Sequence, residues 1–316
     1  MKIVVLDGYT LNPGDNPWDE VAKLGAFVCH DRTPAALIVE RAKDADIVLT
    51  NKTPLSADTI ARLPRLKFVS VLATGYNIVD VKAARARGIA VANVPIYGTD
   101  AVAEYVFALL LNFHRQPHLH SELVKQGEWT RSEWCFWRTP LSELAGQTIG
   151  IVGFGRIGRR IGEIATAFKM KVLANDVYHG NPPAYPFEWR DVPELFAESD
   201  VVTLHCNLTP ENTGLVKTAL LERMKPTAYL INTARGPLVN DADLADALRH
   251  GKLAGAALDV VTTEPIPADN PLLQAPHLTL TPHIAWAALA ARRRLTQITA
   301  DNVAAFLAGQ PKNLVN

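Results

Sequence analysis

An apolar run, Ile149–Val152, feeds Gly153-x-Gly155-x-x-Gly158, and an amphipathic stretch follows. That order reads as a strand, a tight turn and a helix, the fingerprint of a dinucleotide-binding unit. Gly153 permits the turn and Gly155 lets a pyrophosphate approach the backbone. Gly158 lets helix and strand pack closely, and the helix N-terminus then faces the phosphates. The next apolar run, from Lys171, ends in Asp176, 18 residues past Gly158. That is close to the roughly 20 expected of the acid that binds the adenosine ribose. An acid there repels a 2′-phosphate, and Val177–Gly180 offers no arginine to hold one, so NAD is expected rather than NADP.

The motif begins near the middle of 316 residues. A chain above about 250–300 residues usually divides into domains, and the residues before the motif have a pattern of their own. Short β-branched runs predict strands over 3–6, 27–29, 47–49, 68–71 and 90–92, with helices between them over 34–43, 56–62 and 79–87. A second series predicts strands over 149–152, 171–174, 201–204, 229–232, 256–258 and 278–280. Apolar strands alternating with helices imply parallel sheets covered on both faces. The expected fold is α/β, with two Rossmann-like or flavodoxin-like doubly wound domains and an interdomain cleft. A helix over 100–113, apolar nearly all round, is expected to be buried between domains or subunits. The amphipathic helix over 287–307 is expected to return to the first domain, which makes residues 1–98 plus 288–316 a discontinuous substrate domain and 99–287 the NAD-binding domain.

Charge and cysteine content exclude several classes. Lys+Arg and Asp+Glu are both 32, which argues against a nucleic-acid partner, since phosphate neutralisation favours a basic face. Three cysteines without C-x-x-C spacing make neither a disulfide framework nor a thiolate metal site. His118 and His120 diverge on a helix, so the histidines near Glu122 do not suggest a metal. No apolar stretch approaches the ~20 residues of a membrane span, and the first residues read as a strand rather than a signal peptide. The expected setting is cytoplasmic.

Three further stretches end strands of the second series, where a doubly wound sheet places its ligands. They bring Arg235 after 229–232, Asp259 and Glu264 after 256–258, and His283 after 278–280. Taken singly, each has a bland alternative: a surface ion-pair partner for Arg235, a solvated loop acid for Glu264, a hydrogen-bonded loop residue for His283. Together, in this order on a dinucleotide fold, the three suit proton transfer beside a bound anion: a carboxylate next to a histidine favours the imidazolium, and an arginine holds negative charge. The cluster Arg292–Arg294 reads as the solvated face of the last helix, with a pairing to an acid of the first domain as the alternative.

The stretches ATGYNIVD, RGIAVANVP, AVAEYVFALLL, GQTIGIVGFGRIG, INTARGPLVN, AALDVVTTEP and TPHIAW occur in this order over the whole chain. In them the chain resembles the D-isomer-specific 2-hydroxyacid dehydrogenases. The resemblance implies Arg235, Glu264 and His283 as the catalytic trio. It implies a carboxylate hold at Ala73, Thr74 and Gly75, and cofactor contacts from Arg156, Ile157, Cys206, Thr233, Ala234 and Asp259, the last to the nicotinamide carboxamide. It also implies a homodimer formed through residues 100–147. Within the family the details are most similar to hydroxypyruvate/glyoxylate reductases, with D-lactate or D-3-phosphoglycerate dehydrogenase activity, or an NADH-responsive corepressor scaffold, as the alternatives. Lys52 and Trp134 are candidate substrate residues. A solvated loop lysine and an interface tryptophan are their other readings.

Overall fold

The computed structural model describes residues 1–316 and separates into two compact units. Met1–Gly98 joins Ala287–Asn316 in the first, and Thr99–Trp286 forms the second.

The first unit holds β1 (Lys2–Val5), β2 (Ala26–Cys29), β3 (Ile47–Thr50), β4 (Phe68–Val71) and β5 (Ala90–Ala92) in the order β2-β1-β3-β4-β5. Every pairing is parallel. β3 and β4 are buried at every position, as central strands covered on both faces must be. Ser56 caps the helix Ala57–Ala61 by accepting the Thr59 N–H at 3.2 Å. Asp80 does the same for Val81–Ala86, accepting the Ala83 N–H at 2.9 Å. That cap makes the helix predicted over 79–87 start later, at Val81. The stretch over 34–43 is a 3-10 turn, Ala35–Leu37, running into a short helix, Ile38–Ala42.

The helix Leu289–Leu307 packs on this sheet, with Phe306 stacked on Phe68 at 4.5 Å. Of its three arginines, Arg293 and Arg294 are exposed and Arg292 is not. Arg292 is 8% exposed and clamps both Asp15 carboxylate oxygens, at 2.5 and 2.8 Å. Two arginines thus lie on the solvated face and one makes the pairing with the first domain, where the Arg292 guanidinium holds the Asp15 carboxyl below its ordinary range. Arg294 reaches the Tyr97 carbonyl at 2.9 Å. The final residues return to β5, where Leu314 bridges Ala92 and the Val315 N–H bonds the Val91 carbonyl.

The second unit holds β6 (Thr148–Val152), β7 (Lys171–Asn175), β8 (Glu188–Trp189), β9 (Val201–Leu204), β10 (Tyr229–Asn232), β11 (Gly255–Leu258) and β12 (Leu278–Leu280). The order is β12-β11-β10-β9-β6-β7-β8, all parallel. The edge strand β8 spans two residues, too short to show any alternation in sequence.

The helix Thr99–Arg115 is amphipathic, contrary to the expectation of burial all round. Glu104, Ala108, Asn112 and Arg115 form an exposed stripe at helical spacing. Ala108 hides this stripe from a reading by hydropathy. The opposite face packs within the second unit, on the helix Arg156–Ala167, with Phe107, Leu110, Ile161 and Ala165 in one core. Gln116, at φ 43°, then turns the chain into Pro117–Lys125, a helix with no buried residue. The segment beyond it carries Trp129, Trp134 and Trp137, all exposed.

Candidate active site

Register in the seven-stranded sheet decides where the candidate residues stand. Asn175, Val152, Leu204, Asn232, Leu258 and Leu280 are partners in one line across β7, β6, β9, β10, β11 and β12. Asp176, Gly153 and Asp259 each follow that line directly, Cys206 and Thr233–Arg235 come within three residues, and His283 is three past Leu280. Residues scattered over more than a hundred positions therefore leave the sheet at one carboxyl edge, the edge at which doubly wound sheets bind their ligands.

The cofactor end is built by the crossing of two turns. Strand order reverses between β6 and β9, and there Gly153 takes φ 95°, a conformation that favours glycine. A Cβ on Gly153 would run into the backbone of His205 and Cys206, and one on Gly158 into the Gly153 carbonyl. A Cβ on Gly155 would meet nothing within 4 Å. The motif thus uses two glycines to pack and one to leave an opening. The helix Arg156–Ala167 starts at that opening without a side-chain cap, so its first N–H groups face outward for an anion. Arg156 is exposed beside them and Ile157 half-buried.

Asp176 accepts the Phe154 N–H at 2.6 Å and the Tyr178 N–H at 3.0 Å. Arg159 is turned to the carbonyls of Phe154, Gly180 and Asn181, so its guanidinium is engaged by this loop. The Thr233 hydroxyl is buried with no hydrogen-bond partner, an unusual state for a buried polar atom. Burial, with the Asp176 charge, pushes the Cys206 thiol above its ordinary range, which suits a wall rather than a nucleophile. An anion opening at a bare helix start, an acid at the ribose position and an orphaned hydroxyl fit a nicotinamide dinucleotide.

At the other end Asn232, fully buried, fixes the turn that carries Arg235. Its amide donates to the Arg235 carbonyl at 2.9 Å and accepts the Ala234 N–H at 3.0 Å. Gly236 presses so closely on Val261 that a Cβ would strike the Val261 carbonyl. The Arg235 turn thus lies against the segment leading to Glu264.

Glu264 precedes a cis proline, Pro265, and its Oε2 lies 2.6 Å from His283 Nδ1. The pair is roughly two-thirds buried, with side-chain exposures of 33% and 28%. His283 has φ 57°, a left-handed conformation that costs a non-glycine residue about 1–2 kcal/mol. Asp259 holds it there. Its carboxylate, 1% exposed, accepts the Thr281 hydroxyl at 2.6 Å and the N–H groups of Ile284 and Ala285 at 2.8 Å each. Trp286 adds a bond from its indole to the His283 carbonyl at 2.9 Å. The bracing roles of Asp259 and Asn232 escape a local reading of sequence, because their partners are fixed by register and turn geometry.

The other candidates lie elsewhere. Lys52 and Ala73, Thr74 and Gly75 follow β3 and β4 at the carboxyl edge of the first sheet. There the Thr74 hydroxyl bonds the Val94 carbonyl at 2.9 Å. Trp134 stands 78% exposed on the segment after Pro117–Lys125, and no contact brings it to the residues above.

Residues 107–285 match the profile of the D-isomer specific 2-hydroxyacid dehydrogenase, NAD binding domain. The chain is 48% identical to hydroxypyruvate reductase of Blautia hydrogenotrophica, covering 100% of both. The chain belongs to the D-isomer specific 2-hydroxyacid dehydrogenases. As a member of this family it is an oxidoreductase that acts on a CH–OH group with a nicotinamide cofactor. It is also 42% identical to glycerate dehydrogenase of Methylorubrum extorquens, with 88% of each covered. Among solved structures, the dehydrogenase matches the NADPH-dependent glyoxylate/hydroxypyruvate reductase of Sinorhizobium meliloti in complex with NADP and malonate. The TM-score is 0.84 at 30% identity, over 99% of this chain and 96% of that one.

Proposed function

We propose that this dehydrogenase reduces hydroxypyruvate or glyoxylate to D-glycerate or glycolate with NADH, and runs the reverse reaction. The observation that carries the reading is the Glu264–His283 pair, 2.6 Å apart at the sheet edge where the dinucleotide motif also opens. The relatives named hydroxypyruvate reductase and glycerate dehydrogenase support the substrate.

A bound nicotinamide supplies the hydride. His283 gives the proton to the carbonyl oxygen through Nε2, since Nδ1 faces Glu264. Glu264 orients the ring through that contact. Arg235 holds the substrate carboxylate or carbonyl oxygen and offsets the charge developing there. Ala73, Thr74 and Gly75 offer backbone N–H groups suited to a carboxylate, and Lys52 and Trp134 are further candidate substrate residues. Gly153, Gly155, Gly158, Arg156 and Ile157 hold the pyrophosphate, while Cys206, Thr233 and Ala234 wrap the cofactor. Asp259 accepts three hydrogen bonds on a carboxylate that takes about four, and the remaining place is assigned to the carboxamide. Asp176 selects NADH, with Arg159 committed to backbone carbonyls.

The working form is proposed to be a cytoplasmic homodimer. No helix is long and apolar enough to cross a membrane. The tryptophans exposed after Pro117–Lys125 give the dimer its contact, because aromatic residues are enriched at interfaces. Replacing Trp129 and Trp137 together by serine should yield monomers in sedimentation; an unchanged mass would locate the contact elsewhere.

The test of function is the loss of NADH absorbance with hydroxypyruvate, glyoxylate, pyruvate, phenylpyruvate, 2-ketoisocaproate and 3-phosphohydroxypyruvate, with NADPH in parallel. Preference for one of the first two with NADH is expected. Preference for another acid keeps the mechanism and replaces the substrate. NADH binding without turnover of any acid, together with peptide capture, would support the scaffold alternative.

A further inference from the structure

Each sheet has one place where strand order reverses, and the two places are finished differently. In the second sheet the crevice between β6 and β9 opens in front of Gly155. In the first sheet the reversal falls between β1 and β3, the point where flavodoxin-like sheets bind their ligand. A side chain of the protein occupies it. Asp7, two residues past β1 and 4% exposed, points its carboxylate into the loop that follows β3. Oδ1 accepts the Asn51 N–H at 2.8 Å, and Oδ2 accepts the Lys52 and Thr53 N–H groups, both at 2.6 Å. The Thr50 hydroxyl stands 3.2 Å from the same oxygen.

Three consecutive backbone N–H groups converging on one anion form the kind of nest that elsewhere binds phosphate or carboxylate ligands. The consequence for the loop is specific. Asn51 and Thr53 are buried, and Lys52 between them is exposed at the carboxyl edge. The Asn51 side chain donates to the Leu72 carbonyl at 3.0 Å, which ties this loop to the one carrying Ala73, Thr74 and Gly75.

We propose that Asp7 is a positioning residue: it serves as an internal anion at the switch point of the first sheet, and by holding the Asn51–Thr53 loop it sets Lys52 for the keto acid. The assignment of Lys52 to the substrate rests on the proposed function; the hold of Asp7 on the loop does not. Without the carboxylate, three buried donors lose their acceptor, and the loop reorganises to find others.

The experiment compares the parent with Asp7→Ala, Asp7→Asn, Lys52→Ala and the Asp7→Ala/Lys52→Ala double variant. Asp7→Ala should raise KM for hydroxypyruvate about tenfold, the scale set by leaving a buried donor unsatisfied, with kcat and NADH affinity little changed. Lys52→Ala should do the same, and the double variant should be no worse than either, because the two act through one contact. Added formate, the fragment that Asp7→Ala removes, should refill the nest and restore KM in Asp7→Ala but not in the double variant. Equal losses in KM, kcat and NADH affinity, additive effects, or absence of formate rescue would overturn the proposal. Should Asp7→Ala not fold, Asp7→Asn keeps the size and one acceptor oxygen and should show the same split in KM. Amide exchange gives a readout independent of substrate: Lys52 and Thr53 should exchange slowly in the parent and quickly in Asp7→Asn. If the parent reduces no keto acid, the proposed function fails while the hold of Asp7 is still decided by that exchange.

Discussion

A histidine in a left-handed backbone conformation, braced from below by one carboxylate and met from the side by another, has two separable jobs. His283 meets Glu264 at 2.6 Å, while Asp259 holds its loop. His283→Ala is expected to lower kcat by roughly a hundredfold to ten-thousandfold and to leave NADH affinity nearly intact, measured by turnover and by fluorescence titration. Equal loss of both would assign the residue to cofactor binding. Glu264→Gln should lower kcat and leave NADH affinity nearly intact, since an amide no longer holds the ring through a charged hydrogen bond. Unchanged turnover would take Glu264 out of the proton step. These side chains were legible in sequence because each follows a short apolar run that could only be a strand. The φ of His283 and the reach of Asp259 across to β12 were not, since neither leaves a local signal.

At the scale of elements, the core strands were legible almost to the residue, and the departures have physical causes. A cap at Asp80 delays one helix, β8 is too short to alternate, and an alanine disguises the exposed stripe of Thr99–Arg115. That last helix also carries a titratable liability. His114 is 4% exposed, with Nδ1 2.5 Å from the Ser142 hydroxyl and Nε2 buried without a partner. Burial, helped by the Arg115 charge, holds its imidazole below the ordinary range. The unfolded chain then takes up a proton that the folded chain refuses. The stability from a neutral His114 is complete above about pH 6.5, the unfolded value, and is lost as pH falls below it. Denaturant midpoints measured across that range should decline toward acid in the parent and less steeply in His114→Phe. Parallel curves would show that other groups set the acid limb.

For the molecule as a whole, the first unit depends on residues separated by most of the chain. Arg292 pairs with Asp15, Phe306 stacks on Phe68, and Asn302 donates to the Asn93 carbonyl at 2.9 Å. Asn93 in turn donates to the Thr74 carbonyl at 2.7 Å. No local pattern announces that Arg292 is buried, because its acid lies 277 positions away. A fragment of residues 99–286 should fold cooperatively by itself, whereas residues 1–98 should not until a peptide of residues 287–316 is added, as followed by circular dichroism. A cooperative transition in residues 1–98 alone would show that the last helix is an addition rather than a part of that core.

The same discontinuity sets an order in time. During synthesis the first ninety-eight residues leave the ribosome before any of the helix that completes their core. The second unit, contiguous in the chain, is finished earlier. A chain that ends before Leu289 has every strand of the second unit but lacks the helix whose Phe306 covers Phe68 in the first. Premature termination there would release a chain whose second unit is whole and whose N-terminal unit lacks its last helix.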